Sequence, residues 1–269
     1  MKKLNYHGKT VIITGASSGI GKSLAFKLIK SYGCTVFALA RNEARLSGAK
    51  AELGELSDRY ITRSLDASSK DAWLEFANYL QKSSTRVDIL INCAGILPKF
   101  KEAESTEIDT FEGAVSINYL SQVYGCKIIL PHLNEGGAIV NVSSASALCP
   151  FALVSSYSAS KAASERFSEC LSQELKGISV STVMPGFVRT DIMKNQALSS
   201  KEARLVRKFS ADCDKTVNKI LSRVRRRKKR IVVGSDAHLL SFMYRFFPNS
   251  APKLISAFLK KSGLELFNS

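Results

Sequence analysis

The chain has 269 residues, 45% of them hydrophobic and 23% charged, with a net charge of +16; these are the proportions of a globular protein with its own core, not of a disordered tail. No run approaches the roughly 18 consecutive apolar residues that a membrane-spanning helix needs, and no apolar stretch follows Lys2 and Lys3, so no secretory signal is expected and a cytoplasmic setting is. Six scattered cysteines without a C-x-x-C pair read as reduced thiols, and three dispersed histidines suggest no metal site.

In chain order, apolar strand-like runs alternate with helix-length spacers. Residues 11–14 read as a first strand, followed by helical spacing over 20–29. A second strand falls at 35–39, a charged helical stretch at 42–57 and a third strand at 60–62. Further strands fall at 87–92, 138–142, 178–183 and 230–233. This alternation predicts an α/β fold of the doubly wound, Rossmann-like kind, with a mostly parallel seven-stranded sheet and helices on both faces. Ligands then bind beyond the carboxyl ends of the strands. No linker or repeat interrupts the chain, so a single domain is expected: a Rossmann-like body over 1–234 and an amphipathic helical extension of it over 235–269.

The first strand runs into Thr14-Gly15-Ala16-Ser17-Ser18-Gly19-Ile20-Gly21 at the start of the first helix. Glycines let the backbone turn tightly and approach a pyrophosphate, whose charge a helix N-terminus favours. The spacing, T-G-x-x-x-G-x-G, resembles the dinucleotide turn of the short-chain dehydrogenase/reductase family, and the resemblance extends over roughly residues 8–192. It implies that Gly15, Ser17, Ser18, Gly19, Ile20 and Gly21 hold a nicotinamide dinucleotide. After the second strand comes Ala40-Arg41-Asn42. An acidic residue there would bind the ribose 2′-hydroxyl of NAD, whereas a nearby arginine accommodates a 2′-phosphate with its planar fork. With Ala40 where NAD-using relatives carry Asp, the expectation is NADP(H), with Arg41 and Asn42 at the phosphate. Asp66 resembles the family's aspartate beside the adenine. Asn92-Cys93-Ala94-Gly95 resembles its N-N-A-G turn, which implies that this turn supports the sheet and that Asn92, Ala94 and Gly95 line the cofactor cleft. Cys93 departs from the commoner second Asn.

Tyr157 and Lys161 stand four apart, so on a helix they share a face. An ammonium beside a phenol favours phenolate and brings its pKa toward the working pH, as a general acid/base requires. Ser144 precedes Tyr157 by thirteen residues, the family's usual separation, and the resemblance makes it the hydroxyl that holds the substrate oxygen, in preference to Ser143. It likewise implies that the main-chain carbonyl of Asn118 holds a water connecting Lys161 to solvent. Pro185-Gly186-Phe187-Val188-Arg189-Thr190 resembles the P-G-x-V-x-T segment that closes over the nicotinamide, with Val188 bonding through its backbone and Thr190 through its hydroxyl or amide. The expected activity is the NADP(H)-dependent interconversion of a ketone and a secondary alcohol. Tyr157 donates the proton, and Lys161 orients the ribose. The rival is a catalytically idle sensor or scaffold that only binds the dinucleotide.

Leu97, Leu148, Phe151, Leu153, Ile192 and Met193 suggest an apolar substrate wall, suited to a steroid-like, long-chain or aromatic ketone. Residues 201–230 hold 13 Lys/Arg against 3 Asp/Glu. The run 225–230 reads as a solvated basic surface, a nucleic-acid patch or a lipid anchor; no recognised nucleic-acid-binding module accompanies it, so no nucleic-acid partner is expected. The apolar segments 239–247 and 254–261 could lie on a membrane, face a second subunit or roof the substrate pocket. The resemblance implies a homodimer or homotetramer.

Overall fold

Seven apolar runs pair as one sheet: β1 (Thr10–Thr14), β2 (Thr35–Ala40), β3 (Tyr60–Ser64), β4 (Val87–Asn92), β5 (Leu133–Val142), β6 (Ser179–Pro185) and β7 (Arg230–Val233). All neighbours are parallel, in the order β3-β2-β1-β4-β5-β6-β7. This is the computed structural model of the chain, which describes residues 2–194, 196 and 199–261, without the side chains of Ser200, Lys201, Leu205, Phe209 and 258–261. Asn195, Ala197 and Leu198, and 262–269 of the predicted extension, lie outside the described residues.

The helices are α1 (Gly19–Tyr32), α2 (Glu43–Ala51), α3 (Lys70–Lys82), α4 (Ile108–Val115), α5 (Ser121–Ile129), α6 (Ser155–Glu174), α7 (Ser200–Phe209), α8 (Cys213–Arg225), α9 (Ser235–Phe246) and α10 (Ala251–Lys261). Strand residues alternate between two cores. Val11, Ile13 and Val36 pack with α1, α2 and α8, while Ile12, Phe37 and Leu90 pack with α3 and α5. Burial on both faces is why the strands read as continuous apolar runs. The chain winds outward from β1 to β3 and then returns to place β4 against β1. The order therefore reverses between these two strands, which opens a crevice at their carboxyl ends.

Two elements differ from the sequence reading. The helix expected over 42–57 stops at Ala51, because Gly54 turns left-handed (φ +55°) into a short 3-10 segment, Gly54–Arg59. β5 begins five residues early, since Arg86 and Arg227 hydrogen-bond the carbonyls of Leu133 and Gly136 and hold a turn-like sequence extended. Arg227 also donates to Lys2 O (2.7 Å) and Ser179 Oγ (2.8 Å), and Arg230 lies 3.0 Å from Glu165. Part of the basic run is thus a staple at the amino ends of the strands, away from the crevice. At the same end Asp88 accepts from Lys9 Nζ (2.9 Å), Thr10 N (3.0 Å) and Asn134 Nδ2 (3.1 Å). The N-terminal segment is fastened by Tyr6 Oη, which donates to Leu221 O at 2.8 Å, and by Leu4 N, which donates to Arg225 O at 2.9 Å.

Candidate active site

A cleft of about 330 Å³ runs from the glycine turn to Tyr157 at the carboxyl ends of the strands. Gly15 has φ +66°, and a side chain there would meet the backbone of Ala94 at 3.0 Å, so the two loops can approach only with glycine at this position. Thr14, buried at the end of β1, cements the approach: its Oγ1 accepts from the N–H groups of Cys93 and Ala94, both at 3.0 Å. Gly15, Ser18, Gly19, Ile20 and Gly21 line the cleft. The Ser18 hydroxyl makes no capping bond, and α1 has no acidic residue in its first turn. Its leading N–H groups are therefore left to an anion, which fits the pyrophosphate of a dinucleotide. Ser17 lies beside the turn, toward Lys22 and Asp212.

Arg41 is exposed just after β2, and Asn42 caps α2 by accepting from Arg45 N at 2.8 Å. One turn on, Arg45 lines the cleft, a residue the sequence reading missed although its helical spacing from Arg41 was visible. Burial works against the Asp66 carboxylate, but the Ser68 hydroxyl (2.6 Å) and N–H (2.9 Å), together with the Arg41 charge, hold its pKa below the ordinary carboxylate value. Asn92 does not line the cleft. It is buried, and its amide donates to Asn141 Oδ1 (2.8 Å), which in turn donates to Ser168 Oγ (2.9 Å); the chain of bonds ties β4 to β5 and α6. Cys93 reaches the cleft in its stead. Burial pushes its thiol up to about 12 despite the Lys161 charge, so it stays neutral.

Ser144, Tyr157 and Lys161 converge in the cleft wall. Ser144 follows β5 and opens a short 3-10 turn, Ala145–Ala147, while Tyr157 and Lys161 stand on α6. Ser143 instead donates to Lys161 O at 2.8 Å. Lys161 is only 4% exposed; its Nζ donates to Val142 O at 3.0 Å and lies 5.9 Å from the Tyr157 ring centre. Burial lowers its pKa to about 8. A side chain at Gly95 would fall 3.1 Å from that Nζ and 3.0 Å from Asn118 Oδ1, so this glycine makes the space in which the lysine sits. The Tyr157 phenol sits above its ordinary pKa in the folded chain. Burial raises it, with the Ser144 hydrogen bond acting against this.

Asn118 is fully buried within a π-helical turn, Ser116–Leu120, between α4 and α5. Its side chain accepts from Ile96 N (2.9 Å) and donates to Ile96 O and Ser160 Oγ (3.0 Å each), fixing the loop beside Gly95. Such π-turns interrupt helices where local geometry is specialised.

Pro185, Gly186, Val188 and Thr190 line the opposite side. A side chain at Gly19 would meet that of Thr190 at 3.2 Å, and the Thr190 hydroxyl donates to Val188 O at 3.4 Å. Asp236, in the first turn of α9, accepts from Phe187 N at 2.7 Å and occupies the space a side chain at Gly186 would need. Of the predicted apolar wall, Leu97, Phe151, Ile192 and Met193 face the cleft, joined by Phe100 and Leu240. Leu148 and Leu153 are buried and are not among the lining residues. Gln196, also buried, donates to Pro98 O (2.9 Å) and accepts from Phe100 N (3.0 Å), fastening the two sides of the mouth. Asp236 and Gln196 were invisible in the sequence because their partners are backbone groups far away in the chain.

A family model described as short chain dehydrogenase matches residues 9–201. The chain is 30% identical over 257 residues to a 3-ketodihydrosphingosine reductase of Bos taurus, covering 89% of this chain and 75% of that protein. It is 34% identical over 199 residues to 11-beta-hydroxysteroid dehydrogenase A of Sesamum indicum, covering 72% of this chain and 57% of that protein. Among solved structures, a short chain dehydrogenase/reductase from Burkholderia phymatum in complex with NAD shares the fold at TM-score 0.80 and 19% identity, over 90% of this chain and 94% of that one. A short chain dehydrogenase from Burkholderia cenocepacia in complex with NADP gives 0.75 at 25% identity, over 87% and 100%.

Proposed function

Since the chain belongs to the short-chain dehydrogenase/reductase family, oxidoreductases that use a nicotinamide dinucleotide, we propose that it reduces an apolar ketone to a secondary alcohol, or the reverse, with NADP(H). The observation that carries the reading is the meeting of Ser144, Tyr157 and Lys161 in one cleft with the glycine turn. Residues 235–261 belong with the same domain in this reading, since Asp236 and Leu240 form part of the cleft.

When bound, the dinucleotide supplies the hydride equivalent that the chain itself lacks. Its pyrophosphate fits the N–H groups of α1, and Arg41 and Arg45 offer two guanidinium groups for a 2′-phosphate, with Ala40 at the end of β2. Tyr157, its pKa raised by burial, keeps its proton at neutral pH and is therefore a donor to a carbonyl oxygen. Ser144 holds that oxygen and hydrogen-bonds the phenol. Lys161, protonated below about 8, adds positive charge as the phenolate forms and meets the ribose hydroxyls. The apolar mouth of Leu97, Phe100, Phe151 and Leu240 suits a hydrophobic carbonyl compound, and the names of the bovine and sesame relatives agree with such a substrate.

Fluorescence titration with NADPH and NADH, followed by turnover of apolar ketones, tests this. NADPH is expected to bind at least about tenfold more tightly than NADH, with the preference lost in Arg41→Ala/Arg45→Ala, a change on the order of 1.4 kcal/mol or more. Tyr157→Phe should still bind NADPH but lose about a thousandfold or more of turnover. Equal binding of the two dinucleotides would refute the NADP assignment. Binding without turnover in the native chain would point to the idle scaffold.

A further inference from the structure

Of the large hydrophobic side chains that stand exposed among the described residues, a concentrated set lies in one place. Leu239, Phe242 and Phe246 recur at helical spacing along α9, and Phe247 and Leu254 continue the surface into α10; each is 57–59% exposed. Phe242 and Phe246 meet with tilted rings, their centres 4.9 Å apart, and the guanidinium of Arg245 lies 5.8 Å from the Phe246 ring. Apolar clusters of this kind mark a surface that meets something else.

The charge around it says what. Between Asp236 and Glu265 there is no acidic residue in the sequence, while Arg245 and Lys253 are cationic. A second copy would bring cations against cations on a chain already at +16. An anionic lipid surface offers apolar depth and opposite charge together. The patch also adjoins the mouth of the cleft. Leu240, between the exposed Leu239 and Phe242, lines the cleft, and Ser256 of α10 accepts the N–H of Ala152 at 3.3 Å, next to the cleft residue Phe151.

We propose that the Leu239–Phe242–Phe246 stripe, with Phe247 and Leu254, docks the protein on an anionic bilayer and turns the cleft mouth toward carbonyl compounds dissolved in it. The docking stands on the surface alone; the delivery of substrate rests on the apolar-ketone reading above.

Flotation of the full chain with phosphatidylcholine vesicles, plain or containing about one-third phosphatidylglycerol, tests the docking without needing turnover. The protein is expected to float with the anionic vesicles and at least about tenfold less with plain ones, and to be released as salt shortens the reach of the charges. Leu239→Ser/Phe242→Ser/Phe246→Ser should lose about tenfold or more of the flotation with an unchanged Tm, as should Arg245→Ala/Lys253→Ala to a smaller degree. Native protein that stays out of both vesicle fractions overturns the proposal, and so does a triple-serine variant that floats like the native chain. If instead the triple-serine variant dissociates an oligomer of a non-floating native chain, the patch belongs to a second copy. A floating protein that turns over no ketone would refute the apolar-ketone reading and leave the docking standing.

Discussion

Lys161 carries its amine into a site where it is 4% exposed, and burial depresses its pKa from 10.5 to about 8. At neutral pH the folded state therefore holds an ammonium it would rather not, at a cost of about 3 kcal/mol by the usual conversion. Lys161→Met should recover about 1–3 kcal/mol, read as a higher Tm at pH 7, because Val142 O keeps its second partner in Gln122. The same variant should lose nearly all ketone reduction. Between about pH 8 and 10.5 the unfolded lysine binds more protons than the folded one, so native stability gains with pH there and the Tm difference should close. Reduction by the native enzyme should decline as pH rises through about 8, where Lys161 gives up its proton. Such an exchange of stability for chemistry is common at functional sites.

At the scale of elements, the segment after β6 is held by α9 through a single carboxylate, Asp236, on Phe187 N. Asp236→Ala leaves that N–H without its partner and should loosen the loop beside the dinucleotide, raising KM for NADPH about tenfold with kcat changed only a few-fold. Asp236→Asn, which keeps an acceptor oxygen, should restore most of the affinity in the same steady-state assay. This link also shows what a sequence withholds. The central strands were legible because they are buried on both faces and so read as apolar runs, and the edge strands β3 and β7 followed from the alternation with helices. The glycine turn, Ser144, Tyr157 and Lys161 were legible because their spacing is local or fixed by one strand–helix unit. Asp236, Gln196 and Arg45 were not, since an aspartate at a helix start or an arginine on a polar helix face looks the same whether or not a distant backbone faces it. Asn92 shows the sheet-supporting side of its motif: its amide goes to Asn141 inside the sheet.

The whole molecule divides its labour between the two ends of the sheet. The carboxyl ends carry the cleft, with its buried amine and close glycine contacts, while the amino ends carry satisfied networks around Asp88 and Arg227. Burial opposes the Asp88 carboxylate, but Lys9, Thr10 N and Asn134 hold its pKa below the ordinary value. A depressed carboxyl stabilises the fold above its unfolded pKa and stops doing so as pH falls through the folded one. Asp88→Ala should thus cost about 1–3 kcal/mol at pH 7, with the gap to the native Tm shrinking below about pH 4. NADPH affinity should be unchanged, which a titration of the variant would check.

The fastening of residues 4–6 onto α8 has a consequence for how the protein is made. Tyr6 and Leu4 are synthesised well before their partners Leu221 and Arg225, which come more than two hundred residues later. At ordinary rates of translation that is an interval of about 10–40 s. Through it residues 4–6 and the face of α1 that packs on α8 stay uncovered, so a nascent chain halted before α8 should expose apolar surface that the finished fold hides.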